Sequence, residues 1–329
     1  MNKFLKDLEA ELKKLNVNPK EIKEILEDHK EMIEAAKQEG LSEDELDVKF
    51  GDPKKVALEI NEDSQSTTSK IDLEGIESLA QFDVSKFDLV KGFTNDLDNL
   101  EFKVSLVNDD FIFSDYDGEE IHVYQKGIKD IEEYEITLEN KILEIKRKKS
   151  VKINSFFSFN KKSGCFLVLV PKEMKSNKFN YHTVNGEVSI NKLVVNNFAL
   201  NSTNGDIKFS NVDLGVSKLS LVNGDVEMAG FKAISVDISL VNGDVKFDNG
   251  IIEKGFDINS VSGNSNFNNV ECDNASFKTV SGDMLGKNFY VNEVSLKSVS
   301  GDINIENEDK SRHIKVLNKK TISGDININ

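Results

Sequence analysis

Leu221-Val222-Asn223-Gly224-Asp225-Val226-Glu227-Met228 is followed nineteen residues later by Leu240-Val241-Asn242-Gly243-Asp244-Val245-Lys246-Phe247. The same row recurs from Thr183 to the end of the sequence. Its glycines are Gly186, Gly205, Gly224, Gly243, Gly263, Gly282, Gly301 and Gly324, with spacings of 19, 19, 19, 20, 19, 19 and 23 residues. A period this short and regular marks a stacked repeat.

Apolar residues form columns when the rows are aligned. The second column holds Val184, Thr203, Val222, Val241, Val261, Val280, Val299 and Ile322. The sixth holds Val188, Ile207, Val226, Val245, Ser265, Met284, Ile303 and Ile326. The eighth includes Ile190, Phe209, Met228, Phe247, Phe267, Ile305 and Ile328, and a later one Leu200, Leu219, Ile238, Ile258, Phe277 and Leu296. Within a row they alternate with polar residues at a spacing of two, as in a strand. The glycine sits in (Asn/Ser)-Gly-(Asp/Glu), which suits a corner of positive φ. Each row therefore reads as one coil of a β-solenoid, its Val, Ile and Phe columns filling the interior. A propeller blade needs about 40 residues, twice this period.

The chain has 329 residues, 38% of them hydrophobic, no Trp, three Pro and a formal net charge of −16. The mainly β reading is joined to a different N-terminal region, so three parts are expected: 1–62 helical, 63–97 linker and docking segment, and 98–329 solenoid. Within the last, 98–180 reads as irregular early coils and 183–329 as regular repeats. The acidic balance excludes direct nucleic-acid binding as a main role. The charged start, MNKFLKDLEAELKK, is unlike a signal peptide, and no apolar run is long enough to span a membrane. With Cys165 and Cys272 far apart in sequence, a reducing compartment is expected, and hence a cytoplasmic protein.

In the first 60 residues Phe4, Leu5, Leu8, Leu12 and Leu15 recur at helical spacing. Asn18-Pro19-Lys20-Glu21 is a helix start, and Ser42-Glu43-Asp44-Glu45 is a capping box. A small helical bundle is predicted. With its EILEDHKEMIEAA and LSEDEL stretches and the turn FGDPKKVALEI around Gly51-Asp52-Pro53, it resembles the HTH-associated α-helical signalling domain, HAAS. The resemblance implies a protein partner related to PadR-like transcription regulators. Membrane helices that usually follow this domain are missing from the sequence.

From Glu101 the strand signal begins, with EFKVSLVNDDFIFSDYDGEEIHVY and then the apolar run CFLVLVP ending at Pro171. Such a run suits a strand covered on both faces. Together with the eight glycine rows, these stretches resemble the bacterial "putative adhesin" solenoid family, of uncharacterised function. The segment 71–97 has mixed periodicity and is expected to dock on the first coil.

The carboxylates after the glycines, Asp206, Asp225, Asp244, Asp283, Asp302 and Asp325, would lie about 5 Å apart along one edge of the stack. They suit solvated corner residues that hydrogen-bond the turn. A cation ladder is the alternative, though one carboxylate per coil barely meets the 6–8 oxygens of calcium. The neighbouring column, Asn185, Asn204, Asn223 and Asn242, then Ser262, Ser281, Ser300 and Ser323, suits an amide ladder. A sugar-binding strip is its rival. His29, His122, His182 and His313 are scattered, and no nucleophile elbow, phosphate loop or zinc spacing occurs. No catalysis and no cofactor are expected. Lys146-Arg147-Lys148-Lys149, with Lys152, Lys161 and Lys162, reads as a solvated hairpin end or a docking site for an acidic partner. The last row, ending Ile326-Asn327-Ile328-Asn329, offers strand edges through which rods could pair. The expected protein is a non-enzymatic scaffold or sensor. The alternative is a cell-surface adhesin or carbohydrate-binding protein.

Overall fold

The structure, a computed structural model, describes residues 3–15, 22–23, 26, 30, 53–54, 57, 83–94, 97–148 and 164–328. The chain divides into two compact units, Met1–Glu77 and Ser78–Asn329. In the first, helix α1 spans Lys3–Lys14. Phe4, Leu5, Leu8 and Leu12 line its buried stripe, the i, i+4 spacing that puts side chains on one face. Lys13 and Glu9 pair at 2.7 Å on its exposed side. Ile22 and Ala57 are also buried. Residues 22–23, 26, 30, 53–54 and 57 are helical, while the rest of the expected later helices, their caps at Asn18 and Ser42, and the linker up to residue 82 lie outside the described residues.

The second unit is a β-solenoid in which every strand joins one 19-stranded sheet system. The early strands are β1 (Asp88–Phe93), β2 (Leu100–Ser105), β3 (Asp110–Tyr116), β4 (Ile121–Lys126), β5 (Tyr134–Glu139), β6 (Ile142–Arg147) and β7 (Cys165–Pro171). The regular coils follow as β8 (Lys175–Asn185), β9 (Val188–Asn191), β10 (Val194–Asn204), β11 (Ile207–Ser210), β12 (Asp213–Asn223), β13 (Val226–Asn242), β14 (Val245–Ser262), β15 (Ser265–Ser281), β16 (Met284–Ser300), β17 (Ile303–Glu306), β18 (Lys315–Lys320) and β19 (Ile326–Ile328). From β8 onward all pairings are parallel, and each coil lies on the one before it. Of each coil, a long face carries the residues before the glycine and a short face the four after it. The 20-residue spacing is absorbed by a register shift between Ile252 and Gly255.

Stacking order departs from chain order at the start. The β2–β3 coil lies directly under the β8–β9 coil, while β6–β7, made later, lies beneath β2–β3. The antiparallel strands β5, β4 and β1 close that end. Thus Leu106-Val107-Asn108-Asp109-Asp110 is a further row of the ladder with Asp109 at the glycine place. Asn185 donates to the Asn108 side chain at 2.8 Å, and Asp110 accepts from the Glu187 backbone at 2.9 Å, as their counterparts do higher up. β7 is buried along both faces except at its ends. Leu167 and Leu169 pack outward with Ile112 against Val84, Phe87 and Tyr124. Residues 84–93 therefore pack on the early coils, with β1 adding an edge to β4.

The interior holds the sixth and eighth columns and the later column, buried where apolar except for the partly buried Ile328 at the last coil. Phenylalanines run through it. Phe179 lies tilted on Phe198 at 5.6 Å and Phe198 meets Phe209 edge-to-face at 5.3 Å, and further along Phe247 meets Phe267 at 5.8 Å. Aromatic pairs of this geometry add about 0.5–1.5 kcal/mol beyond their burial.

The second column is not part of this core, and the expectation that it fills the interior is corrected. Val222, Val241, Val261, Val280 and Val299 are 40–48% exposed, and Ile322 is 75% exposed. The reason is parity. Leu219 and Ile238 point inward, so Leu221 and Leu240 two residues on also point inward, and the valine three residues on must face out. The buried places are held by Thr183, Ser202, Leu221, Leu240, Ser260, Thr279 and Ser298.

Candidate functional site

Close stacking shapes the glycine corner. Gly224 has φ +130°, and a Cβ there would sit 2.3 Å from the Gly205 carbonyl oxygen. All eight corner glycines have φ between +111° and +150°. Asp109 escapes because a different turn lies below it. Its carboxylate accepts from the Gly164 backbone at 3.1 Å and from the Tyr134 hydroxyl.

After the glycines, the carboxylates bond from coil to coil. Asp206 accepts from the Asp225 N–H at 2.9 Å, Asp225 from Asp244 at 2.7 Å and Asp244 from Asn264 at 2.6 Å. Asn264 then accepts from Asp283, Asp283 from Asp302 and Asp302 from Asp325, at 2.8–2.9 Å. One oxygen of each group thus satisfies a corner N–H that the parallel ladder leaves over. Asn264 does this with an amide, so the duty is acceptance and needs no charge. Among the described residues no group of three or more His, Cys, Asp or Glu could hold a metal ion.

Beside the acids runs an amide ladder. Asn204 donates to Asn185 at 2.6 Å, Asn223 to Asn204 at 2.8 Å and Asn242 to Asn223 at 3.0 Å. A second corner, missed in the sequence, is built from Lys192, Asn211, Gly230, Asn249, Asn269 and Asn288, all with φ of 52–62°. Asn269 donates to Asn249 and Asn288 to Asn269, both at 3.1 Å. The signal was a 19- to 20-residue recurrence of Asn or Gly, the residues that tolerate this conformation.

The outer side of the long face carries four columns, the one farthest from the corner running Lys178, Asn197, Val216, Ser235, Gly255, Asn274 and Glu293. Nearest the corner are the half-exposed valines. Next come His182, Asn201, Ser220, Ser239, Asn259, Lys278 and Lys297, and then Asn180, Ala199, Lys218, Asp237, Asp257, Ser276 and Ser295. The short column beside the valines leaves a shallow trough of about 450 Å³ along the stack, bordered by Val222, Val241 and Val261 over Ser220 and Ser239. An exposed row of apolar residues rimmed by polar ones is the usual mark of an interaction surface.

Elsewhere several polar clusters are engaged within the fold. The Arg312 guanidinium lies 4.5 Å from the Tyr290 ring centre and 2.9 Å from the Glu271 carboxylate, closing one side of a cavity of about 510 Å³. In the basic run, Lys146 pairs with Glu144 and with Glu135 at 3.4 Å, Arg147 with Glu133, and Lys148 donates to the Glu132 carbonyl at 2.6 Å. This run is thus answered across the β5–β6 pair; Lys149, Lys152, Lys161 and Lys162 lie outside the described residues. Burial pushes both the Cys165 and Cys272 thiols up to about 12, so neither supplies a thiolate nucleophile. His122, 3.0 Å from Glu120, lies in β4, whereas His182 lies on the long face and His313 beside Arg312. Burial is also the main cause of the rise of Asp110 to about 6, with the Glu187 and Asp109 charges adding to it against a backbone hydrogen bond.

Residues 98–329 match the Toastrack DUF4097 family, and residues 3–59 match the HAAS family. The chain belongs to the Toastrack DUF4097 family and carries an N-terminal HAAS domain. No curated protein matches it. Among solved structures it is similar to a "putative lipid binding protein" from Parabacteroides distasonis, with 14% identity over 73% of this chain and 96% of that one and a TM-score of 0.50. A "putative adhesin" from Bacteroides fragilis gives 15% identity over 73% and 97% with a TM-score of 0.38. A "putative adhesin" from Parabacteroides merdae gives 13% over 74% and 97% with a TM-score of 0.25.

Proposed function

We propose that this protein is a non-enzymatic, cytoplasmic sensor or scaffold. Its HAAS domain binds a PadR-like transcription regulator, and the long face of the solenoid presents the surface that a second molecule occupies. The observation that carries the reading is the valine row beside the trough, set on a fold whose corner acids, cysteines and residues Lys146–Lys148 are engaged in structure. The HAAS assignment supports a protein–protein role at the other end of the chain. The opposing reading is a surface adhesin or carbohydrate-binding protein. The exposed amide and hydroxyl columns beside the valines favour it, since they could hydrogen-bond a glycan, while the absence of Trp counts against it.

The test is affinity capture from host cytosol with the full chain and with a chain lacking residues 1–62. Retention of a winged-helix regulator by the full chain alone supports the proposal. If both chains retain envelope polymer and neither retains a regulator, the adhesin reading replaces it.

A further inference from the structure

We propose that the long face is occupied by a second copy of the same chain, two solenoids packing face to face with their axes antiparallel. The inference rests on the reading of that face as an interaction surface and names its occupant. Three observations carry it.

The first is periodicity. Val222, Val241, Val261, Val280 and Val299 repeat at the separation of neighbouring strands, about 4.8 Å. A surface that interlocks with such a row over several coils must share that repeat, and a second copy does. Parallel sheets are generally covered on both faces, and among the described residues none covers the outer side of this one.

The second is charge. Lys218, Asp237 and Asp257 occupy one column in successive coils, and among the described residues none has an ion-pair partner. A two-fold axis along the strands, between the coils of Lys218 and Asp237, brings each column opposite itself with the coil order reversed. Lys218 of one copy then faces Asp237 of the other, twice. The same operation sets Val222 against Val241 and Ser220 against Ser239, small against small. Two sheets about 10 Å apart accommodate these pairs.

The third is area. Eight strand residues by seven coils give a face about 23 Å by 29 Å, so roughly 1,300 Å² is covered over the pair. That exceeds the ~1,000 Å² expected of a specific interface. β18 is a poorer place to pair, because all six of its residues are exposed and three are lysines, which discourages strand addition.

The test is sedimentation velocity of the full chain from 1 to 200 µM, with the charge variants Lys218→Asp and Asp237→Lys and their combination. The wild type is expected to be a dimer. Each single variant should raise the dissociation constant at least tenfold, and the double variant should restore it, because the charges are exchanged. Both sites are on the surface, and circular dichroism checks that the fold is kept. A wild type that stays monomeric throughout, or single variants that dimerise unchanged, overturns the proposal. Val241→Glu separates it from the broader reading. If the chain is monomeric yet Val241→Glu abolishes capture of a solenoid-dependent partner, the face still binds, and only its self-association is lost.

Discussion

Replacing Gly243 by Ala should be among the most damaging single-methyl additions to this solenoid, while the same change at Gly255 should be nearly silent. At Gly243 the backbone has φ +139°, and an added Cβ falls 2.2 Å from the Gly224 carbonyl oxygen and 2.7 Å from its carbon. The strained φ costs about 1–3 kcal/mol for a non-glycine residue. Bringing the contact to a tolerable distance parts the two strands by about 0.8 Å. The bond from Gly224 N–H to Asn242, at 3.1 Å, would then pass the useful limit of ~3.5 Å, at about 1 kcal/mol. A total near 2–4 kcal/mol follows. At Gly255 a Cβ meets nothing within 4 Å, so Gly255→Ala should fall between zero and about 1 kcal/mol of stabilisation. Urea unfolding followed by far-ultraviolet circular dichroism, on both variants and the wild type, measures the contrast. Equal midpoints for the two variants would refute the close-stacking account of the corner.

Further outcomes follow from the same corner and from the early coils. Asp225→Asn should be tolerated, since Asn264 already accepts from the coil above it, whereas Asp225→Ala should cost about 1 kcal/mol through the unanswered Asp244 N–H; the two urea midpoints decide. Millimolar Ca²⁺ should leave the melting temperature unchanged, because the carboxylates serve as backbone acceptors; a rise of several degrees would restore the cation ladder. Asn223→Ala breaks two rungs of an exposed amide ladder and should cost about 1 kcal/mol, with Asn223→Ser milder. Asp110 has a folded pKa raised to about 6 from 3.8, so the folded state binds more protons between those values and Asp110 destabilises the fold above them. Its contribution should improve as pH falls from 7 through 6 toward 4. The melting temperature of Asp110→Asn, minus that of the wild type, should shrink over that window, and a constant difference would remove the assignment.

Most of the regular ladder was legible because its chemistry repeats. Gly186 through Gly324 reported the corner, and the Asn and Asp columns reported coil-to-coil bonding. Three features were hidden for identifiable reasons. The row at Leu106–Asp110 has Asp109 where the pattern has glycine, so it did not align, although its LVN-x-D matched. The second corner uses Lys192 and Gly230 among its asparagines, which blurs a column that is uniform in backbone and mixed in side chain. The outward valines looked like core because Val is a core residue type. Counting parity from Leu219 to Val222 would have turned them out. The candidate surface was therefore misread as interior, since apolarity alone does not tell which face of a strand a residue occupies.

The intercalated first coil bears on how the protein is made. β2 and β3 leave the ribosome well before β6, β7, β8 and β9, the strands on either side of them. A simple solenoid can be wound up from its first coil as the chain emerges. This one must keep 100–116 waiting until both neighbours have been synthesised, with loop closures such as the 77-residue span from Asn108 to Asn185. Closure entropy grows only slowly with loop length, so the delay comes mainly from translation time. Once in place, that coil is clamped from both sides, and the β6–β7 coil beyond it is held in turn by the antiparallel strands β5 and β4. Unwinding under heat or pulling force should therefore start among the late coils and run toward the early ones.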